Sequence, residues 1–479
     1  MLASLTSELD RLSPRFEVQP SQIEILSTPS DFYETLKAKI SNAKRRVYLS
    51  TLYIGKTEHE LRNPDLKVSF LTDALRGTRE TPQPSCASLL APLVADFGPD
   101  RVEIRMFHTP NLFGLRKKLI PRRINEGWGL QHMKLANLSN DYFTNRQDRY
   151  HVFSSAEITD YFFRIHSAIS SLSYLISPSS SSPGGYDMTW PSSNPAPSPL
   201  EDRNAFKKAA STLLTPLVRP SVTPLPSDIN STSIYPLLQF TSVLPTSNDT
   251  STELPAMSTL LTLLTQPAYA LNTWTFTAGY FNMTPWMRSL LLATNPARAT
   301  VIAASPQANG FYGSAGVSGM LPAAYTLLAR RFLQSVERAG LSDRVQLREW
   351  RRGTVGEPDG WTYHAKGFWV TLPGEGGQPD PSDRSSKAST TDAPAPGGPS
   401  IAIIGSSNYT KRSYELDLEA GVMIVTRDAD LRRRLGAEEA RVGEWAKEVG
   451  MGEFERTERR VGLHVRVAMW IVKVLGGAL

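Results

Sequence analysis

Apolar residues at Phe32, Leu36 and Ile40 recur near the helical period and predict a helix over 31–42. The runs RVYLSTLY (46–53), KVSFLTD (67–73) and RVEIRMFH (101–108) predict strands, with CASLLAPLVADF (86–97) as the helix before the last. The alternation resumes later. ATVIAASP predicts a strand, residues 321–340 the clearest helix of the chain, and RVQLREW, YHAKGFWVTL (363–372), SIAIIGSSN (400–408) and EAGVMIVT (419–426) further strands. Strands alternating with helices predict an α/β sandwich with mixed or parallel sheets. The connection 55–67 offers about one helical turn where a parallel crossover takes about a dozen residues.

Between the two alternating regions, residues 178–256 are rich in Ser, Pro and Thr and predict linker or loop, with AFKKAASTLLTPLV as a helix inside it. Residues 373–399 are of low complexity and predict a disordered bulge within a hairpin. The resulting division is an N-terminal extension (1–28), a first unit (29–177), the linker (178–256), a second unit (257–426) and a C-terminal tail (427–479). The tail opens as a charged helix. It ends in VGLHVRVAMWIVKVLGGAL, which suits either a membrane interface or docking on the core.

Composition narrows the class. The chain has 479 residues, 40% hydrophobic and 20% charged, which suits a globular protein. A formal charge of +6 favours anionic partners without choosing among nucleic acid, phosphorylated metabolites and acidic membranes. Cys86 is the only cysteine, which excludes a disulfide framework and a cysteine metal cluster. No run of 18 apolar residues predicts a transmembrane helix. The acidic residues Glu8 and Asp10 make the start a poor targeting segment and a better short amphipathic helix.

The chemistry lies in an internal repeat. GLQHMKLANLSNDYFTNRQDRY carries His132, Lys134, Asn137, Asn145, Arg146 and Asp148. YHAKGFWVTL followed by IAIIGSSNYTKRSYELDLEA carries His364, Lys366, Asn408, Arg412, Ser413, Asp417 and Glu419. Each copy has His-x-Lys, a small residue before Asn, a hydroxyl two positions on, and then a basic residue and an acid. Residues two apart on a strand face the same way, so each His and Lys addresses one ligand. One neutral imidazole can attack phosphorus and the other can move a proton. Two ammonium groups and two carboxamides can hold the non-bridging oxygens. Such a site needs no metal and no cofactor, and the seven histidines show no metal-ligand spacing.

These units resemble the phospholipase D superfamily. LYIG, FHTPNLFGLRKKLIPRRINEGWGLQH, ANLSNDYFTNRQDRY, NGFYGSAGVSGMLPAAY, YHAKGFW and GSSNYTKRSYELDLEA are similar to its mitochondrial phosphatidylglycerophosphate synthases. The resemblance implies two similar α/β sandwich halves sharing one active site at a pseudo-twofold interface. It implies transfer of the phosphatidyl group of CDP-diacylglycerol to glycerol 3-phosphate, with release of CMP, in cardiolipin synthesis. It places the protein peripherally on the mitochondrial inner membrane, against an anionic surface and without a nucleic-acid partner. His132 matches the nucleophile and His364 the acid/base. Lys134 and Lys366 complete the catalytic set, and Asn137 and Asn408 match phosphate contacts. Asp417 and Glu419 match carboxylates that orient His or Lys.

The chain departs from the family after Lys134. The superfamily pattern His-x-Lys-x4-Asp puts Ser139 at the Asp position of the first motif and Thr371 at that of the second. Only Leu135 separates Lys134 from Ala136, where the family has a strand, a turn and a strand. From His132 to Asn137 the chain spans at most about 17 Å, too little for a hairpin. This spacing predicts a distorted first half-site and little or no activity.

Other residues have plainer readings. Asn145, Arg146 and Asp148 suit a network supporting the first motif, while Arg412 and Ser413 divide between substrate phosphate and support. NGFYGSAGVSG lacks the G-x-G-x-x-G pattern and is either a turn or a substrate loop. The run RKKLIPRR suits a solvated face or a site attracting phosphate headgroups. His108, in FHTP, suits either support of the site or a strand cap, while His59, His151, His166 and His464 have no repeat partner and read as structural. Two other functions fit the same repeat: a phosphodiesterase with water as acceptor, and a silent membrane-binding homologue.

Overall fold

A computed structural model of the protein describes residues 1–52, 63, 65–80, 84–120, 125–135, 144–220, 232–374 and 397–474. In chain order the strands are β1 (Phe16–Val18), β2 (Ile23–Leu26), β3 (Arg46–Ser50), β4 (Lys67–Asp73), β5 (Val102–Phe107), β6 (Arg146–Gln147), β7 (Tyr150–Phe153), β8 (Tyr174–Pro178) and β9 (Tyr186–Thr189). They continue with β10 (Thr232–Gln239), β11 (Thr273–Ala278), β12 (Arg298–Ala304), β13 (Val345–Trp350), β14 (Thr362–Tyr363), β15 (Lys366–Thr371), β16 (Ile401–Gly405), β17 (Glu419–Val425) and β18 (Ala446–Glu448). The helices are α1 (Leu2–Leu9), α2 (Pro29–Ser41), α3 (Ala74–Gly77), α4 (Cys86–Phe97), α5 (Gly114–Leu119), α6 (Ala156–Ser170) and α7 (Arg203–Val218). After these come α8 (Glu253–Leu264), α9 (Pro285–Ala293), α10 (Leu321–Arg338), α11 (Lys411–Glu415), α12 (Ala429–Gly443) and α13 (Leu463–Val474).

Local chemistry sets the helix starts. The Thr28 hydroxyl accepts from Asp31 N–H while the Asp31 carboxylate accepts from Thr28 N–H, a reciprocal cap on α2. Ser85, Asp202 and Asp428 cap α4, α7 and α12 in the same donor-satisfying way.

The strands form mixed sheets. The largest has nine strands in the order β1-β10-β17-β16-β15-β11-β12-β13-β18, and a second has five in the order β3-β4-β5-β8-β9. Within them β11, β12 and β13 are parallel neighbours, as are β3, β4 and β5. In the large sheet β15 and β16 lie between β11 and β17, and β17 pairs antiparallel with β10. The smaller region has the matching antiparallel pair, β2 with β7, as a separate two-stranded sheet. Among the described residues no strand joins β7 to β3. A cavity of about 340 Å³ lies there, lined by Tyr48, Leu135, Tyr150, Phe153 and Phe162 and also by Lys134, Asp148 and Lys366.

Residues 178–256 hold more regular structure than their composition predicts. They include β9, the sixteen-residue α7, all of β10 and the start of α8. Every residue of β10 is buried, and β10 pairs on one side with β17 and on the other with β1 from the N-terminal stretch. The proline inside it, Pro236, lies beyond the β1 pairing, which ends at Ile234, so its missing N–H removes no bond of that ladder. Its carbonyl, on the same side, accepts from the Ser13 and Thr252 hydroxyls. The N-terminal stretch is likewise structural, since α1 buries Leu2, Leu5 and Leu9 in the core beneath the large sheet.

Two predicted elements are shorter than expected. The strand expected over 363–372 breaks after Tyr363 and resumes at Lys366. The charged helix of the tail ends at Gly443, and 446–448 instead pair with β13 as an edge strand. The short connection 55–67, the low-complexity stretch and the segment after Leu135, with Asn137 and Ser139, fall wholly or largely outside the described residues.

Candidate active site

The two His-x-Lys segments are brought together by backbone pairing with each other's flanks. Gln131 bridges Leu418 in parallel, with His132 N–H donating to Leu418 O at 2.9 Å and Leu418 N–H to Leu130 O at 2.8 Å. Reciprocally, β14 runs parallel to β6, with Thr362 N–H donating to Asn145 O at 2.9 Å and His364 N–H to Gln147 O at 2.8 Å. Neither His-x-Lys lies on one continuous strand. His132 follows a single bridge, and His364 sits in the break between β14 and β15.

Each imidazole is held by a carboxylate from the other segment. His132 Nδ1 lies 3.0 and 2.9 Å from the two oxygens of Glu419, at the start of β17. His364 Nδ1 lies 2.7 Å from Asp148 Oδ2, between β6 and β7. A neutral ring that donates its Nδ1–H to a carboxylate leaves Nε2 with a lone pair. Lys134 Nζ stands 3.1 Å from His132 Nε2, whereas Lys366 Nζ lies over the His364 ring, 2.8 Å from Nδ1 and 3.0 Å from Nε2, and donates to His364 O at 2.8 Å. His132 and Lys134 meet as the repeat predicts, although the two lysines address their rings differently, and the rest of the first motif, 136–143, lies outside the described residues. Leu135 N–H still donates to Ser50 O at 3.1 Å, which anchors the chain to β3.

Burial sets the charge state. His132 and His364 are 7% and 5% exposed. Burial drives the His132 pKa down to about 4, although Glu419 opposes it. Burial and then Lys366 drive His364 well below its ordinary value. Both rings are therefore neutral near pH 7, the form a phosphorus nucleophile or a general base requires. Burial lowers Lys134 to about 8. Burial also pushes Glu419 up, but His132 and Lys134 outweigh it and hold the carboxyl below its ordinary value.

The remaining residues divide into ligand-facing and supporting roles. Arg146 is buried against the site. Asn145 contributes its backbone carbonyl, while its side chain is exposed. The buried Oδ1 of Asn408 makes no hydrogen bond among the described residues. The Ser413 hydroxyl accepts from Asn408 N–H, so it builds the turn that presents Asn408. Arg412 pairs with Asp417 at 2.9 Å, and Asp417 accepts from Leu130 N–H at 2.8 Å. Asp417 is pushed by burial to about 6, with Arg412 pulling it down. Three partners escaped the sequence reading. The Ser406 hydroxyl donates to Glu419. Asp73 accepts from Gln131 N–H at 2.8 Å. The Tyr280 ring meets His364 edge-on at 5.7 Å, with Phe311 and Tyr325 packed on Tyr280. Nothing in a lone TAGYFN run marks that tyrosine.

His132, Asp417 and Glu419 bring one possible ligand atom each within 4.8 Å. This cluster arises from the fold and has no signature in sequence spacing. Its donors are already engaged by Arg412, Leu130 N–H, Ser406 and the ring itself, and the adjacent guanidinium opposes a cation. The arrangement fits a hydrogen-bonded imidazole better than a metal centre.

No family model matches the chain. Curated relatives do. The chain is 44% identical to the CDP-diacylglycerol–glycerol-3-phosphate 3-phosphatidyltransferase of Saccharomyces pastorianus, over 97% of this chain and 89% of that protein. It is 34% identical to the mitochondrial enzyme of the same name from Mus musculus, over 96% of this chain and 85% of that one. Among solved structures, phosphatidylserine synthase from Haemophilus influenzae Rd KW20 superposes with a TM-score of 0.68, covering 99% of this chain and 97% of that one at 20% identity. The last likeness concerns the fold alone, whereas the first two place the chain by descent: it belongs to the family of CDP-diacylglycerol–glycerol-3-phosphate 3-phosphatidyltransferases.

Proposed function

We propose that this protein transfers the phosphatidyl group of CDP-diacylglycerol to glycerol 3-phosphate, giving phosphatidylglycerophosphate and CMP. His132 Nε2 attacks the phosphorus that carries diacylglycerol. A nitrogen–phosphorus bond forms, the pyrophosphate bond breaks, and CMP leaves with the bonding electrons. The acceptor hydroxyl then attacks the same phosphorus, the nitrogen–phosphorus bond breaks, and the hydroxyl proton passes to His364 Nε2. A neutral His364 suits this base role. Lys134, Lys366 and Asn408 hold the non-bridging oxygens, with Asn137 the fourth such group by its place in the repeat. Arg412, which pairs with Asp417, is the cation we assign to the acceptor phosphate.

The observation that carries this reading is the reciprocal one. Glu419 from the second His-x-Lys unit orients His132, and Asp148 from the first orients His364. It supports two halves, at 29–177 and 257–426, related by a pseudo-twofold axis through one site. The mitochondrial relative supports a mitochondrial location, and our reading puts the protein peripherally on the inner membrane there. Among the described residues no helix is long and apolar enough to cross a membrane.

The test is CMP release from labelled CDP-diacylglycerol with and without glycerol 3-phosphate. Transfer requires the acceptor for steady release and traps the label on His132 in its absence. Steady release without acceptor indicates hydrolysis. Vesicle binding with neither release nor trapped label indicates a silent homologue.

A further inference from the structure

The C-terminal helix α13 exposes an apolar stripe. Leu463, Val467, Trp470 and Ile471 are 76, 46, 64 and 44% exposed. Their spacing of four, three and one puts them on one helical face. Val465, on another face, is buried, and α13 packs on α10. The stripe is thus outward-facing on a helix held to the body.

A second exposed apolar element lies beside α10. The loop before it exposes Tyr312 and Val317 at 39 and 55%. The same loop packs Phe311 on Tyr280 at 5.4 Å, and Tyr325 in the first turns of α10 stacks on Tyr280 at 5.7 Å. Tyr280 in turn faces His364. The next residues, Thr326 and Leu327, line a small cavity with Arg330, Arg460 and Arg466. The loop and α13 therefore flank the same end of α10, one aromatic layer from the imidazole.

Charge selects the occupant. From Arg459 onward the sequence has no Asp or Glu, while it carries Arg459, Arg460, Arg466 and Lys473. Arg460 and Arg466 are exposed. Apolar side chains on one helix face rimmed by arginines fit a bilayer interface with acidic headgroups.

We propose that α13 and the loop carrying Tyr312 and Val317 form the face by which this protein lies on an anionic lipid surface, with the catalytic histidines beside the entry for lipid. This rests on the phosphatidyl-transfer reading. It assigns the docking face, which that reading leaves open.

The test uses the full chain and the variant Val467→Ser/Trp470→Ser/Ile471→Ser. Cosedimentation is measured with phosphatidylcholine vesicles and with mixed phosphatidylcholine–phosphatidylglycerol vesicles. Activity is measured with long-chain CDP-diacylglycerol in vesicles and with a short-chain, dispersed CDP-lipid. The parent binds mixed vesicles more tightly than neutral ones, and the variant loses on the order of tenfold or more in that binding. Its KM for vesicle substrate rises, while turnover of the dispersed lipid stays at the parent's level. Arg460→Gln/Arg466→Gln loses the preference for anionic vesicles and keeps the fold. Equal vesicle binding by the triple variant and the parent overturns the proposal. So does a parent dimer in sedimentation that the variant dissociates without losing lipid binding, since a second copy then covers the stripe. Failure of both proteins on the dispersed lipid counts against phosphatidyl transfer, while the vesicle arm still reads the docking face.

Discussion

Glu419 holds His132 from 287 residues away, with its carboxylate oxygens 2.9 and 3.0 Å from Nδ1. The carboxylate is fully buried and is fixed by the Ser406 hydroxyl. It has one geometric consequence: the ring keeps its proton on Nδ1 and presents Nε2. Glu419→Gln preserves volume but can place an amide N–H against Nδ1, which favours the wrong tautomer. The transfer rate should fall by about 100- to 10,000-fold, the range seen when an imidazole loses its orienting carboxylate. Steady-state kcat, with circular dichroism to verify folding, measures it. A drop below threefold in a folded variant would remove Glu419 from the mechanism.

The pH profile of kcat/KM should have an alkaline limb to which Lys134 and Lys366 both contribute, since burial lowers both ammonium groups. The Lys134 pKa is lowered to about 8, so that ammonium loses its proton as pH rises through that value. The His132 ring, at about 4, stays neutral across the whole neutral range and sets the acid limb well below it. Lys134→Arg keeps a cation there to high pH and should remove the Lys134 part of the limb, near 8, even if the rate is lower. A limb that stays wholly in place in Lys134→Arg assigns it to Lys366 or another group.

The local half of this architecture was legible in the sequence. Helix α10 and strand β4 follow from periodicity, and the two His-x-Lys pairs follow from the repeat. Long-range pairing was not. Asp148 and Glu419 were recognisable only as supporting acids, because which ring each acid meets depends on parallel bridges between segments more than 200 residues apart. Strand β10 was hidden by the serines, threonines and prolines around it. Its burial comes from β17 and β1 on either side, not from its own pattern. Tyr280 carried no signal, since an aromatic packed on a catalytic ring looks in sequence like any core aromatic.

Arg149 explains the glycine of YHAKG. Its guanidinium pairs with Glu438, donates to Ile403 O at 2.6 Å and lies 3.8 Å above the Trp369 ring. A Cβ on Gly367 would fall 1.8 Å from Arg149 Nη1 and 2.3 Å from Ile403 O. Glu438 also accepts from His151, and burial of this group is offset by Arg149 and His151, which hold its carboxyl far below the ordinary range. Arg149→Leu leaves Glu438 buried without its guanidinium, with only the His151 and Trp369 donors, and should cost about 3–5 kcal/mol. Gly367→Ala should displace the same guanidinium. Urea unfolding of both variants measures the loss, and the double variant should lose less than the sum because one interaction is removed twice.

Glu253 should make stability fall as pH rises from about 4.3 to about 8. It is buried at the start of α8, where burial and the nearby Glu419 charge raise its pKa to about 8. The unfolded carboxyl titrates near 4.3. Between those values the folded state holds a proton that the unfolded state has lost. Its stabilisation is complete below the unfolded value and is lost as pH rises through about 8. Asp73, raised by burial to about 8, acts in the same direction, so the wild-type slope alone is not diagnostic. The difference in Tm between wild type and Glu253→Gln is. It should be small at pH 5, should move toward the Gln variant as pH rises to about 8, and should level off above that. A constant difference across that range would rule out titration of Glu253.

The gap between β3 and β7 bears on how well this chain works. In the large sheet, Lys366 opens β15, which runs antiparallel along β11 and returns as β16 just before Ser407 and Asn408. Lys134 stands at the corresponding place. Leu135 N–H donates to Ser50 O, the first step of a strand along β3, yet the next residue is already Ala136, one before Asn137. Only Leu135 separates Lys134 from Ala136, and a cavity of about 340 Å³ beside Tyr48 and Phe153, lined also by Lys134, Asp148 and Lys366, lies between β3 and β7. Joining residues 367–374 to 398–404 and inserting them between Leu135 and Ala136 supplies two apolar strands already suited to such a slot. The insertion should raise Tm by several degrees by pairing both open edges and filling the cavity, and it should raise the transfer rate by fixing Asn137 opposite Lys134. A polar hairpin of equal length should do neither. Messenger RNA read across codons 134–137 checks the same point, since an in-frame segment there would encode the two strands. If the apolar insertion lowers Tm and leaves the rate unchanged, the slot is closed in solution and the short motif is this protein's own solution.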